Sequence, residues 1–327
     1  MSKQLAVSNE QLKEGWEIRK KNFGDDVYFY APTIKRYETD EFRNSRQPCF
    51  VPVSITGSSC SLKCDHCQAK ILEVMYAAKD PERLFSLAKD LKDRGVKGLL
   101  VSGGSDSSGV VPLIRFVEIL KGIKEELGLK ILVHTGLVDE SLAKGLAWAG
   151  IEAAMIDIIG SEATIRDVYH LKARTSDYQR SLELLCEYGV KTAPHIVIGL
   201  DYGRIDGEHQ ALETIARYPV ACLVLVGLMP QPGTPMEKVT PPTSGQMGEI
   251  FCQARTTFSK IPVLLGCERA AGEDKIKMEE LALKTGLNGI AYPSEGIVTL
   301  ARELGLKPHF SELCCALLFE ELNGYEH

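Results

Sequence analysis

Eight short apolar runs, spaced between residues 50 and 291, restrict what this chain can fold into more than any other feature. They are FVPVSIT (50–56), KGLLVS (97–102), KILVH (130–134), AAMIDI (153–158), KTAPHIVIG (191–199), VACLVLVG (220–227), IPVLLG (261–266) and NGIA (288–291). Runs that read continuously apolar are strands buried on both faces, the mark of a parallel sheet covered by helices. The segment DPERLFSLAKDLKDRG shows what lies between them: Asp80 caps, Pro81 suits the first turn, Leu84, Leu87, Ala88 and Leu91 share a face, and Gly95 ends the helix. A second helix is expected over QAKILEVMYAAK. Eight such units predict an α/β fold, a (β/α)8 TIM-type barrel that is full or nearly full, with functional residues just after the strands.

Three parts are expected: a polar, helical N-terminal arm (1–48), the barrel (49–305), and a C-terminal extension (306–327) that carries an adjacent Cys314-Cys315 pair in PHFSELCCALLFEEL. The run PQPGTPMEKVTPPTS (230–244) makes a long loop after the sixth strand. A net charge of -6 leaves no basic footprint for nucleic acid. No apolar run approaches the roughly 20 residues that cross a bilayer, and MSKQLAVSNEQLKEGWEIRKK lacks the apolar core of a secretory signal. A cytoplasmic location, without membrane association, is therefore expected. There thiols stay reduced, so clustered cysteines point to metal or catalysis more than to disulfides.

Three of the ten cysteines fall within eight residues, Cys60, Cys64 and Cys67 in CSLKCDHC, directly after the first strand. Structural zinc sites usually close with four ligands. Three thiolates suit a [4Fe-4S] cubane that keeps one iron open, and His66 is their neighbour. Ser102-Gly103-Gly104 ends strand two, where residues without Cβ let a ligand approach the backbone, although Gly-Gly after a strand is commonly just a turn. His134 ends strand three and Asp157 ends strand four, so both face the same mouth. The plain alternatives are a buried, hydrogen-bonded imidazole and a helix cap. Cys267 ends strand seven. Adjacent cysteines such as Cys314 and Cys315 point in different directions, so packing seldom asks for both. Cys186, Cys222 and Cys252 lie in apolar patterns that read as packing.

The CxxxCxxC after strand one and the glycine pair after strand two resemble the radical S-adenosylmethionine (SAM) superfamily. That resemblance implies that Cys60, Cys64 and Cys67 hold a [4Fe-4S] cluster whose open iron chelates SAM. An electron from the cluster then cleaves SAM to methionine and a 5'-deoxyadenosyl radical. It also places His66, Ser102, Gly103, Gly104, His134, Asp157 and Met229 around SAM. More narrowly, LGCERAAG, NGIAYPSEG and Thr234-Pro235 resemble the biotin synthases. Those enzymes hold a second cluster with cysteines from strands two, three and five and an arginine from strand seven. Here those three strands lack cysteine, and thiols stand instead at Cys267, Cys314 and Cys315, which implies a second [4Fe-4S] cluster at a new place. Cys49, His195 and Ser294 are candidates for its fourth ligand. The arginine that would meet the SAM carboxylate is out of phase, with Arg174 and Arg180 as substitutes.

VSITG, LLVSGG, HTGLVDE, DIIGSEATI, PHIVIGL, LMPQPGTPM and the terminal Cys pair are most similar to the first-acting protein of the two-protein archaeal-type lipoyl synthases. That resemblance implies sulfur insertion at C8 of an octanoyl-lysine on a lipoyl-carrier domain, a companion radical enzyme acting at C6, and a reductant such as ferredoxin or flavodoxin. Two other readings remain at this point: another radical SAM reaction, either a different sulfur insertion, the C6 step, or one in which the second cluster only relays electrons, and a zinc-binding scaffold without catalysis.

Overall fold

All eight expected strands are present in the computed structural model, which describes residues 7–323. Three further strands join them. In chain order the eleven are β1 (Asp26–Tyr30), β2 (Phe50–Ser54), β3 (Tyr76–Ala77), β4 (Gly98–Ser102), β5 (Lys130–Thr135), β6 (Ala153–Asp157), β7 (Thr192–Ile198), β8 (Leu223–Gly227), β9 (Val263–Leu265), β10 (Gly289–Ala291) and β11 (Lys307–Ser311). They form one sheet in the order β11-β1-β10-β9-β8-β7-β6-β5-β4-β2-β3, and every pairing is parallel. Helices cover its outer face, so β2, β8, β9 and β10 are buried at every position.

The sheet curls around a lumen lined by Phe50, Leu132, Met155, Ala193, Val224 and Leu264. Among the described residues β3 and β11 are its edges, and no ladder joins them. Residues 31–49 lace this seam. Cys49 N–H donates to Thr33 Oγ1 (2.6 Å), and Asn44 Nδ2 donates to the carbonyl oxygens of Ala31 (3.3 Å) and Lys35 (2.9 Å).

Two stretches read as appendages belong to the sheet. Within the N-terminal arm, the helix Asn9–Phe23 is capped by a reciprocal Ser8–Gln11 box, and β1 then slots between β10 and β11. Within the C-terminal extension, β11 completes that edge. The chain then turns back into the lumen, where Cys314 through Phe319 pack against Phe50, Met155, Ala193 and Val224. The helix Leu318–Asn323 lies across the N-terminal ends of the strands: Lys130, which opens β5, pairs with Glu320 (2.5 Å), Lys191 Nζ sits 5.0 Å from the Phe319 ring centroid, and Tyr30 Oη donates to Glu321 (2.6 Å). The helix Leu318–Asn323 thus stoppers the barrel floor.

The helix expected over QAKILEVMYAAK does not form. Gln68 and Ala69 adopt left-handed backbone (φ 48° and 64°), which L-residues enter at a cost and which no helix can continue. Only a 3-10 turn, Lys70–Leu72, remains before β3 pairs with β2 at Val53↔Tyr76. The helix Pro81–Asp93 does form as expected, with Asp80 accepting from Arg83 N–H (2.8 Å).

Behind β9 and β10 a charged group is fully enclosed. Arg269 pairs with Glu279, their side chains 1% and 0% exposed, and donates to the carbonyl oxygens of Gly266 and Ala291 (both 2.6 Å); Lys275 also meets Glu279 at 2.8 Å. Removing one member of such a pair strands the other charge. Glu279→Ala is expected to cost about 3 kcal/mol or more in a denaturant titration. A loss well under 1 kcal/mol would mean that water reaches Arg269.

Candidate functional site

Because all strands run the same way, the residues that follow them gather at one mouth. The cysteine loop leaves β2 there and is tied to its neighbours by backbone: Ile55 N–H donates to Ser102 O (2.8 Å), Ser61 N–H to Ser105 O (2.8 Å), and Asp65 N–H to Val168 O (3.0 Å). Gly104 fits against it so closely that an added Cβ would lie 2.0 Å from Ser59 O and 2.5 Å from Cys60 Cβ. At Gly103 the nearest atoms would be 3.1 Å away on the side chains of Ile55 and Thr56. The second glycine of the pair is therefore a steric requirement of the cysteine loop itself.

Cys64 is buried, while Cys60 and Cys67 are partly open to the mouth. The thiols of Cys64 and Cys67 interact directly. Hydrogen bonding to the Cys67 sulfur, followed by burial, pushes the Cys64 thiol up. Hydrogen bonding from Cys64, reinforced by His66 against the cost of burial, pulls Cys67 well down. A thiolate is the form that ligates iron. The His66 ring lies 5.3 Å from that of Tyr169, and its Nδ1 is buried with no partner among the described residues. These features fit an iron-sulfur cluster with a small ligand beside it: three thiols on one loop, one of them readily ionised, a glycine cradle and an unsatisfied imidazole nitrogen. Among the described residues no three His, Cys, Asp or Glu converge to grip a single metal ion. A multi-iron cage needs wider spacing than one ion does.

The sequence did not reveal what clamps this loop. The Asp65 carboxylate is held by His170 Nε2 (2.8 Å) from the β6 side and by Tyr202 Oη from the β7 side. Both partners adopt left-handed backbone, φ 57° and 48°. Neither is glycine, so each conformation carries strain that its surroundings must outweigh. Tyr178 is buried and Tyr169 half-buried with its hydroxyl enclosed, both near Asp157, and burial raises each phenol.

His134 and Asp157 lie in the lumen with Nε2 and Oδ1 3.6 Å apart. Their side chains are 27% and 31% exposed, although protein surrounds them, because they face the hollow of the barrel. Burial opposes a charged His134, but the Asp157 carboxylate outweighs it and the imidazole titrates above its usual range. Burial likewise opposes ionised Asp157, and His134 outweighs that, so the carboxyl stays below its usual range. His195, whose ring lies 5.5 Å from that of His134, is pushed down to about 4 by burial and by that neighbour.

The other thiols gather deeper in the lumen. Cys315, 3% exposed, interacts with both Cys267 and Cys314, and those contacts with burial push it up while Cys314 is drawn down. Cys222 is wholly buried at the same floor and donates to Ala316 O (3.5 Å). Of the candidates to complete this group only His195 lines the lumen. Cys49 sits at the opposite ends of the strands, its carbonyl accepting from Lys97 N–H, and Ser294 is committed to Lys275 and Glu279. Arg174 and Arg180 are both exposed, Arg180 paired with Glu183 at 2.6 Å. Met229 is 37% exposed after β8, and Ser102 Oγ donates to His134 O (2.9 Å). Cys186 and Cys252 lie in helices on the outer layer.

Gly104→Ala is expected to lower iron affinity about tenfold or more after anaerobic reconstitution, the scale seen when supports of metal ligands are lost. Gly103→Ala should do less, and equal iron content in wild type and Gly104→Ala would contradict the close fit. The His134–Asp157 pair sets a pH dependence. A histidine whose folded pKa is raised contributes stability fully below its unfolded value near 6.5, and loses it as pH rises through the folded value. Asp157→Asn should therefore lower the thermal midpoint more at pH 6 than at pH 9. An equal drop at both would show that the two groups are not ion-paired.

The geometry agrees with what the chain is similar to. The family model described as the radical SAM superfamily matches residues 54–217, about half of the chain. Biotin synthase of Acidithiobacillus ferrooxidans is 25% identical over 280 residues, covering 84% of this chain and 86% of that protein. Biotin synthase of Marinobacter nauticus is 23% identical over 95% of this chain and 90% of its own length. Among solved structures, methylornithine synthase superposes with a TM-score of 0.65 at 18% identity, covering 98% of this chain and 94% of that one. The [FeFe]-hydrogenase maturase of Carboxydothermus hydrogenoformans gives 0.63 at 12% identity, covering 97% and 78%. By the family match and the α/β fold that carries it, the chain belongs to the radical SAM superfamily.

Proposed function

We propose that this protein is a sulfur-inserting radical SAM enzyme of biotin-synthase type that acts in lipoyl cofactor formation. On this reading it takes hydrogen from C8 of an octanoyl-lysine on a carrier domain and places sulfur there. The observation that carries the reading is a second thiol group, Cys267, Cys314 and Cys315, in the same lumen as the mouth-facing Cys60, Cys64 and Cys67. When bound, a [4Fe-4S] cluster on the first group supplies the electron that turns SAM into a hydrogen-abstracting radical, and one on the second group supplies sulfide.

This chain's residues prepare the space between. Gly103 and Gly104 let the cysteine loop close on the end of β4, and His66 offers its free nitrogen beside that loop. Asp157 presents a carboxylate that stays ionised, suited to ribose hydroxyls, while His134 holds it in place. Leu132, Met155, Val197 and Val226 line an apolar wall suited to an extended acyl chain, and the terminal helix closes the floor against water. A reductant such as ferredoxin or flavodoxin and a companion enzyme acting at C6 complete the proposal.

The test uses anaerobically reconstituted protein, SAM, dithionite and a peptide whose octanoyl-lysine is deuterated at C8. Deuterium in the 5'-deoxyadenosine and a new thiol on the peptide are expected. Unlabelled 5'-deoxyadenosine would reject this carbon. Cys315→Ala should retain SAM cleavage but form no thiol. If the thiol persists, sulfur does not come from the second group.

A further inference from the structure

The loop that laces the barrel seam also forms a cavity of about 700 Å3, lined by Lys35, Arg36, Arg43 and Arg46 with Thr33, Asn44 and Ser45. Among the described residues no carboxylate lines it. The loop also carries acids, most of them engaged away from the cavity. Glu41 accepts from Gly296 N–H (2.9 Å) and Thr299 N–H (2.6 Å), at the start of the helix Ile297–Glu303. Glu38 alone meets Arg36 (2.9 Å) and Arg43 (3.4 Å), and Glu312 accepts from Ser45. Arg46 has no ion pair among the described residues, and Lys35 lies 4.1 Å from the Tyr292 ring centroid. Among the described residues Glu38 is the one carboxylate ion-paired with any of these four cations, in a protein whose net charge is -6.

This positive basin is built, not draped. Asn44, 6% exposed, holds both ends of the loop through Ala31 O, Lys35 O and Tyr37 N–H (3.1 Å), while Tyr37 Oη donates to Pro293 O. The loop leaves the C-terminal end of β1 and packs through Tyr37, Asp40 and Ser45 on the residues after β10 and β11, on the mouth side of the sheet, before its last residues descend the seam to Cys49 at the start of β2. Its guanidinium groups are widely exposed, 74% at Arg36 and 70% at Arg43, and do not converge on a point. A single small anion would need convergent, enclosed donors; a broad arc of exposed cations suits a broad acidic face.

We propose that residues 33–46 are the docking surface for the acidic face of the folded carrier domain that delivers the acyl-lysine. This inference rests on the function proposed above, because an acyl arm attached to a protein enters the lumen only if its domain seats on the rim.

The probe is an octanoylated lipoyl-carrier domain with acidic residues around its lysine, titrated into reconstituted holoprotein by surface plasmon resonance. The double variant Lys35→Glu/Arg46→Glu is expected to weaken binding about tenfold or more, and Arg46→Lys to bind as wild type does. Wild-type affinity should fall severalfold as salt rises from about 50 to 200 mM. Iron content and thermal midpoint report that each variant is folded. Unchanged binding by the double variant, or affinity indifferent to salt, would overturn the proposal. So would calorimetric binding of inorganic pyrophosphate that the double variant loses while the carrier domain still binds. If the carrier docks through these residues but no deuterium leaves C8, the surface stands and the reaction assigned to it falls.

Discussion

The molecule depends on a single constraint of direction: eleven strands, all parallel, each delivering its C-terminal end to one mouth. A parallel pair cannot be joined by a tight hairpin, so each strand must be followed by a crossover that covers the sheet. The cost is a chain of over three hundred residues. The return is that the cysteine loop after β2, the glycines after β4, His134 on β5 and Asp157 on β6 come within reach of one another although nearly a hundred residues separate the first from the last. No one segment holds the site; the sheet's curvature does.

The lumen gives the second thiol group its character. Cys314 and Cys315 would be ordinary reduced cysteines on an exposed tail. Inside the barrel, burial and mutual contact split their proton affinities, as they do for Cys64 and Cys67 at the mouth. His134 and Asp157 stand between the two groups as a charged pair, with His195 beside them in a largely apolar wall. Arg269, two residues after Cys267, turns the other way and is fully spent on Glu279 and backbone carbonyls. A buried guanidinium so fully satisfied fixes the loop after β9 and keeps Cys267 facing inward.

Much of this was legible in the sequence, for physical reasons. Strands buried on both faces leave unbroken apolar runs, so all eight expected strands stand within three residues of their expected bounds, and the cap at Asp80 is local chemistry. What was hidden depends on distant partners. DVYFY is too short to announce itself, and β1 exists because Gly289–Ala291 and Lys307–Ser311 offer it an edge on each side. The expected helix after the cysteines fails at two left-handed residues that no propensity foretells. Asp65 stands between ligand cysteines, and its clamp appears only when His170 and Tyr202 arrive from other loops. The adjacent Cys314-Cys315 pair pointed to more than packing, but the sequence could not place it inside the barrel.

That last placement has a consequence for how the two thiol groups are filled. Cys60 and Cys67 are partly open at the mouth, on a loop tied to its neighbours by backbone. Cys314 and Cys315 meet Cys267 only once the segment after β11 is seated inside the barrel walls. Iron loaded at the mouth and iron loaded below it are therefore separate events, and the second is tied to the closing of the floor by the helix Leu318–Asn323.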